Sequence, residues 1–208
     1  YVSDVKIPFG AMVVYDLLPD IMQQATIQTI RLPLYNFFTE KKTAEPSNYV
    51  AICRDFSIDD NDQEKLLRYV KRGNNAFISA YGIPDTLGSV LGFKASVKEL
   101  KLRDTTLLQN FSNQKLRNAS GYNFLHDDGR NYLEIIKNQH ITVLGRNARK
   151  EPVFIQVQYG KGNFFIHNLP IAFTNYYVLA PKTSDYPFKA LSYLPALPTY
   201  WDEYQKQG

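Results

Sequence analysis

The chain has 208 residues, 44% of them hydrophobic and 21% charged, the composition of one compact globular domain rather than a disordered chain. A single cysteine, Cys53, excludes a disulfide scaffold and any multi-thiolate zinc site, and three scattered histidines leave little for a histidine metal centre. The net charge of +4 is uneven: residues 101–150 carry nine basic and four acidic side chains, a local excess that suits a polyanion-binding surface.

Taken in chain order, Ala11–Leu18 reads as a short helix opened by Gly10 and stopped by Pro19, because a residue before proline resists the helical region. Thr26–Leu32 alternates as a strand and is closed by Pro33. Asn48–Arg54 is a short apolar run typical of a strand buried on both faces. Asp60 is placed to cap a helix, with Gln63 completing a capping box, Leu66, Leu67 and Val70 facing inward, and Gly73 ending it. Asn75–Ser79 is a second buried strand, and Asp85–Leu91 begins another helix. Strand–helix–strand–helix order with short connections predicts a parallel α/β sheet.

Residues 94–146 change character. Short strand-like runs (96–102, 122–126 and 141–145) are broken by Asn, Asp and Gly, and no strong helix is predicted. Val153–Tyr159 alternates, and Gly160-Lys161-Gly162 turns it back into Asn163–His167 as a hairpin. Ser184–Leu194 is predicted as a final helix, with Pro187 in its first turn and Pro195 as its boundary. The expectation is one α/β domain over residues 1–208, with a strand-rich insertion or extension at about 94–146 that adds antiparallel strands to the sheet. No apolar run approaches the ~20 residues needed to cross a bilayer. No signal peptide is evident, and a start at Tyr1 rather than Met marks an excised or processed piece. Asn110 and Asn118 open glycosylation sequons.

Several phrases carry a family resemblance over about Ile7 to Tyr204. They include Pro8-Phe9-Gly10, Leu17-Leu18-Pro19, Arg31-Leu32-Pro33-Leu34-Tyr35-Asn36 and Gly73-Asn74-Asn75 with Phe77-Ile78-Ser79-Ala80. Gly160-Lys161-Gly162-Asn163, the run His167–Tyr176 and Lys189–Pro195 complete the set. Together they resemble the bacterial domain of unknown function 4350 family. That resemblance implies a flavodoxin-like three-layer sandwich similar to class I glutamine amidotransferases. It also implies a domain held at a bacterial membrane by apolar segments outside this chain, periplasmic or otherwise extracytoplasmic, with a protein partner in a membrane-associated assembly.

The residues themselves argue against amidotransferase chemistry. Such an enzyme needs a cysteine on a glycine-flanked strand-to-helix turn and a His-Glu pair. Cys53 instead lies between Ile52 and Arg54 in a strand-like run, and no His-x-Glu follows, so it reads as a buried structural thiol. Ser79 ends a buried strand, where ligands of parallel sheets gather, and His167 ends the later hairpin. They form the only nucleophile–base pair worth weighing, although Phe77–Tyr81 is not G-x-S-x-G.

Arg31, Tyr35, Tyr81, Asp85 and Asn175 complete a candidate ligand-binding set with Ser79 and His167. Asp59-Asp60-Asn61-Asp62 lacks the features of a calcium loop, and the His126–Gly129 run reads as a turn. Tyr176, Tyr177 and Tyr200-Trp201 are candidates for an interaction surface. The reading is a non-catalytic ligand- or protein-binding domain without cofactor, metal or nucleic acid. A hydrolase using Ser79 and His167 is the rival. A polyanion-binding surface in 101–150, which charge reversal at Arg146, Arg149 and Lys150 should weaken, is the third option.

Overall fold

A computed structural model describes residues 8–41, 43–98, 108–125, 127 and 129–206. The first half holds α1 (Met12–Ile21), β1 (Ile27–Ile30), α2 (Leu34–Glu40), β2 (Asn48–Ile52), α3 (Asp60–Lys71), β3 (Asn75–Ser79) and α4 (Asp85–Leu91). The strand-rich middle holds β4 (Phe93–Val97), β5 (Leu108–Phe111), β6 (Tyr122–Asn123), β7 (Asn131–Ile135) and β8 (Ile141–Asn147). The hairpin β9 (Pro152–Tyr159) and β10 (Gly162–His167) follows, then α5 (Asn175–Val178), α6 (Tyr186–Leu191) and β11 (Thr199–Asp202). Two 3-10 turns, Pro170–Phe173 and Tyr204–Lys206, complete the described chain.

Nine strands form one mixed sheet in the order β1-β11-β2-β3-β10-β9-β8-β5-β6. The pairings from β1 to β10 are parallel and those from β10 to β6 are antiparallel. β4 and β7 pair separately as an antiparallel ribbon. Alternation along the central strands sorts the core into two clusters. Val50, Ile52, Phe77 and Phe165 join residues of α1, α5 and α6 on one face. Tyr49, Ala51, Ala76, Ile78, Phe164 and Ile166 join residues of α2, α3 and α4 on the other. Strands covered on both faces are the physical reason β2 and β3 read as continuous apolar runs, and all ten of their residues are buried.

Four local expectations need correction. α1 runs through Pro19 to Ile21, because Val14 and Leu18 anchor it in the core and a proline in the last turn removes only one donor. α3 is capped by Asp59, whose Oδ1 accepts the Asp62 N–H at 2.8 Å, and Gln63 Oε1 accepts instead from Thr86 Oγ1. The last helix is only Tyr186–Leu191. Tyr200 and Trp201 belong to a strand absent from the sequence reading, β11, which slots between β1 and β2 and buries Trp201 completely. They are core residues, and Tyr177 is buried as well, which leaves Tyr176 as the exposed member of that set. The predicted run 96–102 is described only to Lys98, and His126 and Asp128 of the predicted turn also lie outside the described residues.

One glycine fixes the geometry of the hairpin. A Cβ on Gly162 would come far inside van der Waals contact with the Asn74 and Val70 carbonyl oxygens, so β10 can start only as glycine beneath the α3–β3 turn. That close approach pins β10 against β3 in a register that runs from Asn163↔Asn75 to His167↔Ser79.

Candidate functional site

The register places the candidate pair. Ser79 and His167 are cross-strand partners at the C-terminal ends of β3 and β10, on the face that carries Phe77 and Phe165. Neighbouring strands lie about 4.8 Å apart, so side chains on one face at partnered positions meet directly. Ser79 Oγ lies 2.9 Å from His167 Nδ1. The Leu169 N–H also donates to Nδ1 at 3.3 Å, which fixes that nitrogen as an acceptor and leaves Nε2 to carry the proton. Nε2–H then donates to the Tyr186 hydroxyl at 2.9 Å.

This chain of bonds lacks two things a hydrolytic pair needs. The first is a carboxylate behind the imidazole to stabilise the imidazolium formed when serine is deprotonated. Tyr186 is a neutral phenol in that position, and burial pushes its own pKa upward. Burial alone also pulls the His167 pKa down to about 3, far below the range of an effective general base at neutral pH. The second missing feature is access. Ser79 and His167 both have 0% exposure. Around the imidazole stand Phe77, Phe154, Phe173 and Tyr186, with ring centroids at 6.3, 5.2, 5.2 and 5.7 Å.

The strand ends beyond the pair, where a ligand crevice is expected, are closed by backbone. Cys53 N donates to Ser79 O, Ala80 N to His167 O, and Tyr81 N to Arg54 O, while Asp55 and Gly82 form a bridge between the two loops. Cys53 follows β2 as a buried thiol pushed up to about 12, chiefly by burial, which keeps it protonated and inert as expected. The final turn adds a second cover. Gln205 Oε1 accepts from Ser57 N, and Lys206 pairs with Glu203 at 2.6 Å with both side chains almost fully buried. Beneath it, Tyr49 donates to Asp202 at 2.5 Å, and burial raises the Asp202 pKa to about 6. Asn168, next to His167, is buried with neither amide atom hydrogen-bonded among the described residues.

The other candidate residues do not converge on this pair. Arg31 is exposed just after β1. Tyr35 opens α2, donates its N–H to Asp62 at 2.6 Å and lies under Lys65 Nζ. Tyr81 packs partly buried against the α1-side core, and Asp85 is exposed at the start of α4. Asn175 accepts the Val13 N–H on α1, across the sheet from Tyr35. Among the described residues no group of three metal-ligating side chains occurs.

Two open cavities lie elsewhere. An apolar groove of about 790 Å³ separates α1 from α5 beside Val13, Tyr176 and Leu179. A cavity of about 560 Å³ opens at the β5–β8 edge beside Arg117, Arg146 and Lys150. Composition signalled the second through the basic excess of 101–150, but not which cations face it.

The family described as domain of unknown function DUF4350 matches residues 3–186 of the chain. No curated protein matches it. Among solved structures it is similar to the mmIFT52 N-terminal domain, with TM-score 0.61 and 10% identity over 86% of this chain and 88% of that one. It is also similar to cytoplasmic protein STM3548 from Salmonella typhimurium, with TM-score 0.42 and 14% identity over 92% of this chain and 77% of that one. A third likeness is to the exo-beta-1,4-mannosidase Op5Man5 from Opitutaceae bacterium strain TAV5, with TM-score 0.40 and 13% identity over 68% of this chain. The chain spans only 22% of that mannosidase's length. At such identities the likeness concerns the fold alone, a mixed α/β architecture with a large mixed sheet.

Proposed function

The chain belongs to the domain of unknown function DUF4350 family, and from that premise we propose that it is a non-catalytic binding domain. The observation that carries this reading is the sealing of Ser79 and His167. The only nucleophile–base contact weighed from the sequence is made at 2.9 Å, yet inside an aromatic core. The pair acts as a polar clasp between β3 and β10, and open cavities lie where no nucleophile was identified. A flavodoxin-like, amidotransferase-related ancestry fits parallel strands covered on both faces. An extracytoplasmic position on a membrane-anchored bacterial protein, with a protein partner in a membrane-associated assembly, rests on the family resemblance.

A hydrolase is the second reading, favoured by the 2.9 Å contact alone. For it to operate, Tyr186 and α6 would have to leave the imidazole and admit water and substrate together. The discriminating experiment is a panel of ester, amide and glycoside substrates assayed with the wild-type domain and with Ser79→Ala. Equal background rates are expected from the two proteins. Turnover that disappears in a folded Ser79→Ala variant would replace the binding reading with the hydrolase.

A further inference from the structure

We infer that the groove between α1 and α5 is the docking site for an amphipathic helix of a partner protein, whose apolar ridge carries a basic residue that meets Asp16. The inference deepens the binding reading of the domain and rests on its expectation of a protein partner. It uses neither Ser79 nor His167.

α1 is apolar on two faces. Ala11, Val14 and Leu18 are buried in the core, at the i, i+3 and i+7 spacing of one helix face. Met12, Val13 and Asp16 line the groove instead, and Leu17 beside them is exposed. The opposite wall holds Tyr176 and Leu179, and Phe9 stacks on Tyr176 with ring centroids 6.1 Å apart. Phe9, Leu17, Tyr176 and Leu179 are all exposed, Leu179 at 69%. One exposed leucine is ordinary on a protein surface, whereas a contiguous apolar patch around a groove marks an interaction site.

The groove is preformed. The Val13 N–H, one of the donors that a helix N-terminus leaves free, donates to Asn175 Oδ1 at 3.0 Å, and no side chain of α1's own first turn caps it. Asn175 N donates to Gly10 O at 2.7 Å, and Tyr176 N to Pro8 O at 2.8 Å. These bonds tie the start of α1 to the start of α5 and fix the spacing of the two walls, which lowers the entropy cost of docking.

Shape and charge decide the occupant. The ten residues of α1 span about 15 Å, enough to seat a helix through apolar anchors at i, i+3 or i+4, and i+7. Asp16 is the one charged residue lining the groove among the described residues, and it makes no hydrogen bond or ion pair with any of them. α1 carries Asp20 one turn further on and no basic residue. Lys182, the cation nearest to α5 in sequence, lies beyond the lining. A negative groove favours a cation on the incoming ridge and disfavours an anionic lipid surface.

A second copy of the chain fits less well. A two-fold contact through this face sets Asp16 and Asp20 of one copy against those of the other. Among the described helices, α2, α4 and α5 carry no basic residue, and the apolar stripe of α3 is buried in the core. Lys189 of α6 is held by Asp185 at 2.7 Å. None of them offers an exposed apolar ridge with an available cation.

The test titrates the intact domain with two synthetic helices of about 18 residues, long enough to be helical in water. Both present leucines at i, i+3 or i+4, and i+7, and they differ only in a Lys or a Glu within that ridge. Backbone amide shifts of Val13 and Tyr176 report binding. The Lys peptide is expected to bind about tenfold more tightly than the Glu peptide, and Asp16→Lys to reverse that order. Leu179→Asp should weaken the Lys peptide by at least about tenfold with the melting temperature unchanged, because that side chain is exposed in the free domain.

Equal affinity for the two peptides would overturn the inference, as would an unaltered order in Asp16→Lys. No shift at those amides up to about 1 mM of the Lys peptide would do the same. A concentration-dependent dimer abolished by Leu179→Asp would assign the face to a second copy. Sedimentation with phosphatidylglycerol vesicles, abolished by the same change, would assign it to a membrane. Either result overturns the inference. The Ser79→Ala substrate panel runs alongside. Turnover that depends on Ser79 removes the non-catalytic reading and leaves a peptide-binding groove standing, whereas a flat panel with no peptide shift removes the groove alone.

Discussion

The chain holds two polar sites built on opposite plans. At Ser79–His167 the functional groups are in contact and the solvent is absent. At Arg117, Arg146 and Lys150 the side chains are exposed to solvent and make no ion pair among the described residues. The first joins two parallel strands inside the sheet, and the second lies where antiparallel strands reach the sheet's edge. The contrast shows that a catalytic distance is not a catalytic site. A serine and a histidine in partnered register will meet whether or not chemistry requires it, and access and the protonation of the imidazole decide which role they have.

If the sealed pair is structural, its loss should appear in stability and that of the open site should not. His167→Ala leaves a cavity and strands the Ser79 and Tyr186 hydroxyls, so about 3–5 kcal/mol of stability should disappear and the melting temperature fall by roughly 10 °C. Thermal unfolding measures this beside Arg117→Ala, which should stay within about 0.5 kcal/mol of wild type. A His167→Ala protein as stable as wild type would remove the structural role.

The cover over the strand ends is expected to rank next. Lys206→Ala removes the buried cation that pairs with Glu203 and packs over the Trp201 ring, at a cost of about 3 kcal/mol by urea titration followed through Trp201 fluorescence. An unchanged midpoint would mean that the last turn is dispensable to the seal.

Two buried groups make opposing contributions to pH dependence. The folded pKa of His167, about 3, lies below its unfolded 6.5, so the unfolded chain binds the extra proton and stability falls as pH drops through that window. The folded pKa of Asp202, about 6, lies above its unfolded 3.8, so the folded chain binds the extra proton and stability rises as pH drops from 6 to 3.8. Each slope approaches about 1.4 kcal/mol per pH unit, and the two nearly cancel between pH 6 and 4. Asp202→Asn should expose the His167 slope, and denaturant midpoints measured at pH 7, 6, 5 and 4 read it. A flat profile in that variant would mean that His167 takes up its proton in the folded state. Ser79→Ala is the smallest loss expected at the sealed pair, about 1 kcal/mol for one buried hydrogen bond.

Much of the architecture was legible because periodicity reports burial directly. Asn48–Arg54 and Asn75–Ser79 read as buried strands, and the Gly160–Gly162 turn as a hairpin, without tertiary knowledge. β11 was not legible: four residues between prolines and a polar tail look like an exposed aromatic end, and only pairing with β1 and β2 makes Trp201 core. Ser79 and His167 were visible one by one as strand ends. Their sealing was not, since it comes from Tyr186, nineteen residues beyond His167 in sequence. Arg149 was placed among the anion-facing cations by composition, and a glutamate two residues away takes it out of that role while Arg117 enters from a separate loop.

The most direct measurement of the central claim is labelling of the native domain with a fluorophosphonate, followed by intact mass and peptide mapping, with Ser79→Ala alongside. A sealed, unactivated serine predicts no adduct at Ser79 under native conditions. A stoichiometric adduct there, absent from the variant, would contradict the claim and make the pair an active site.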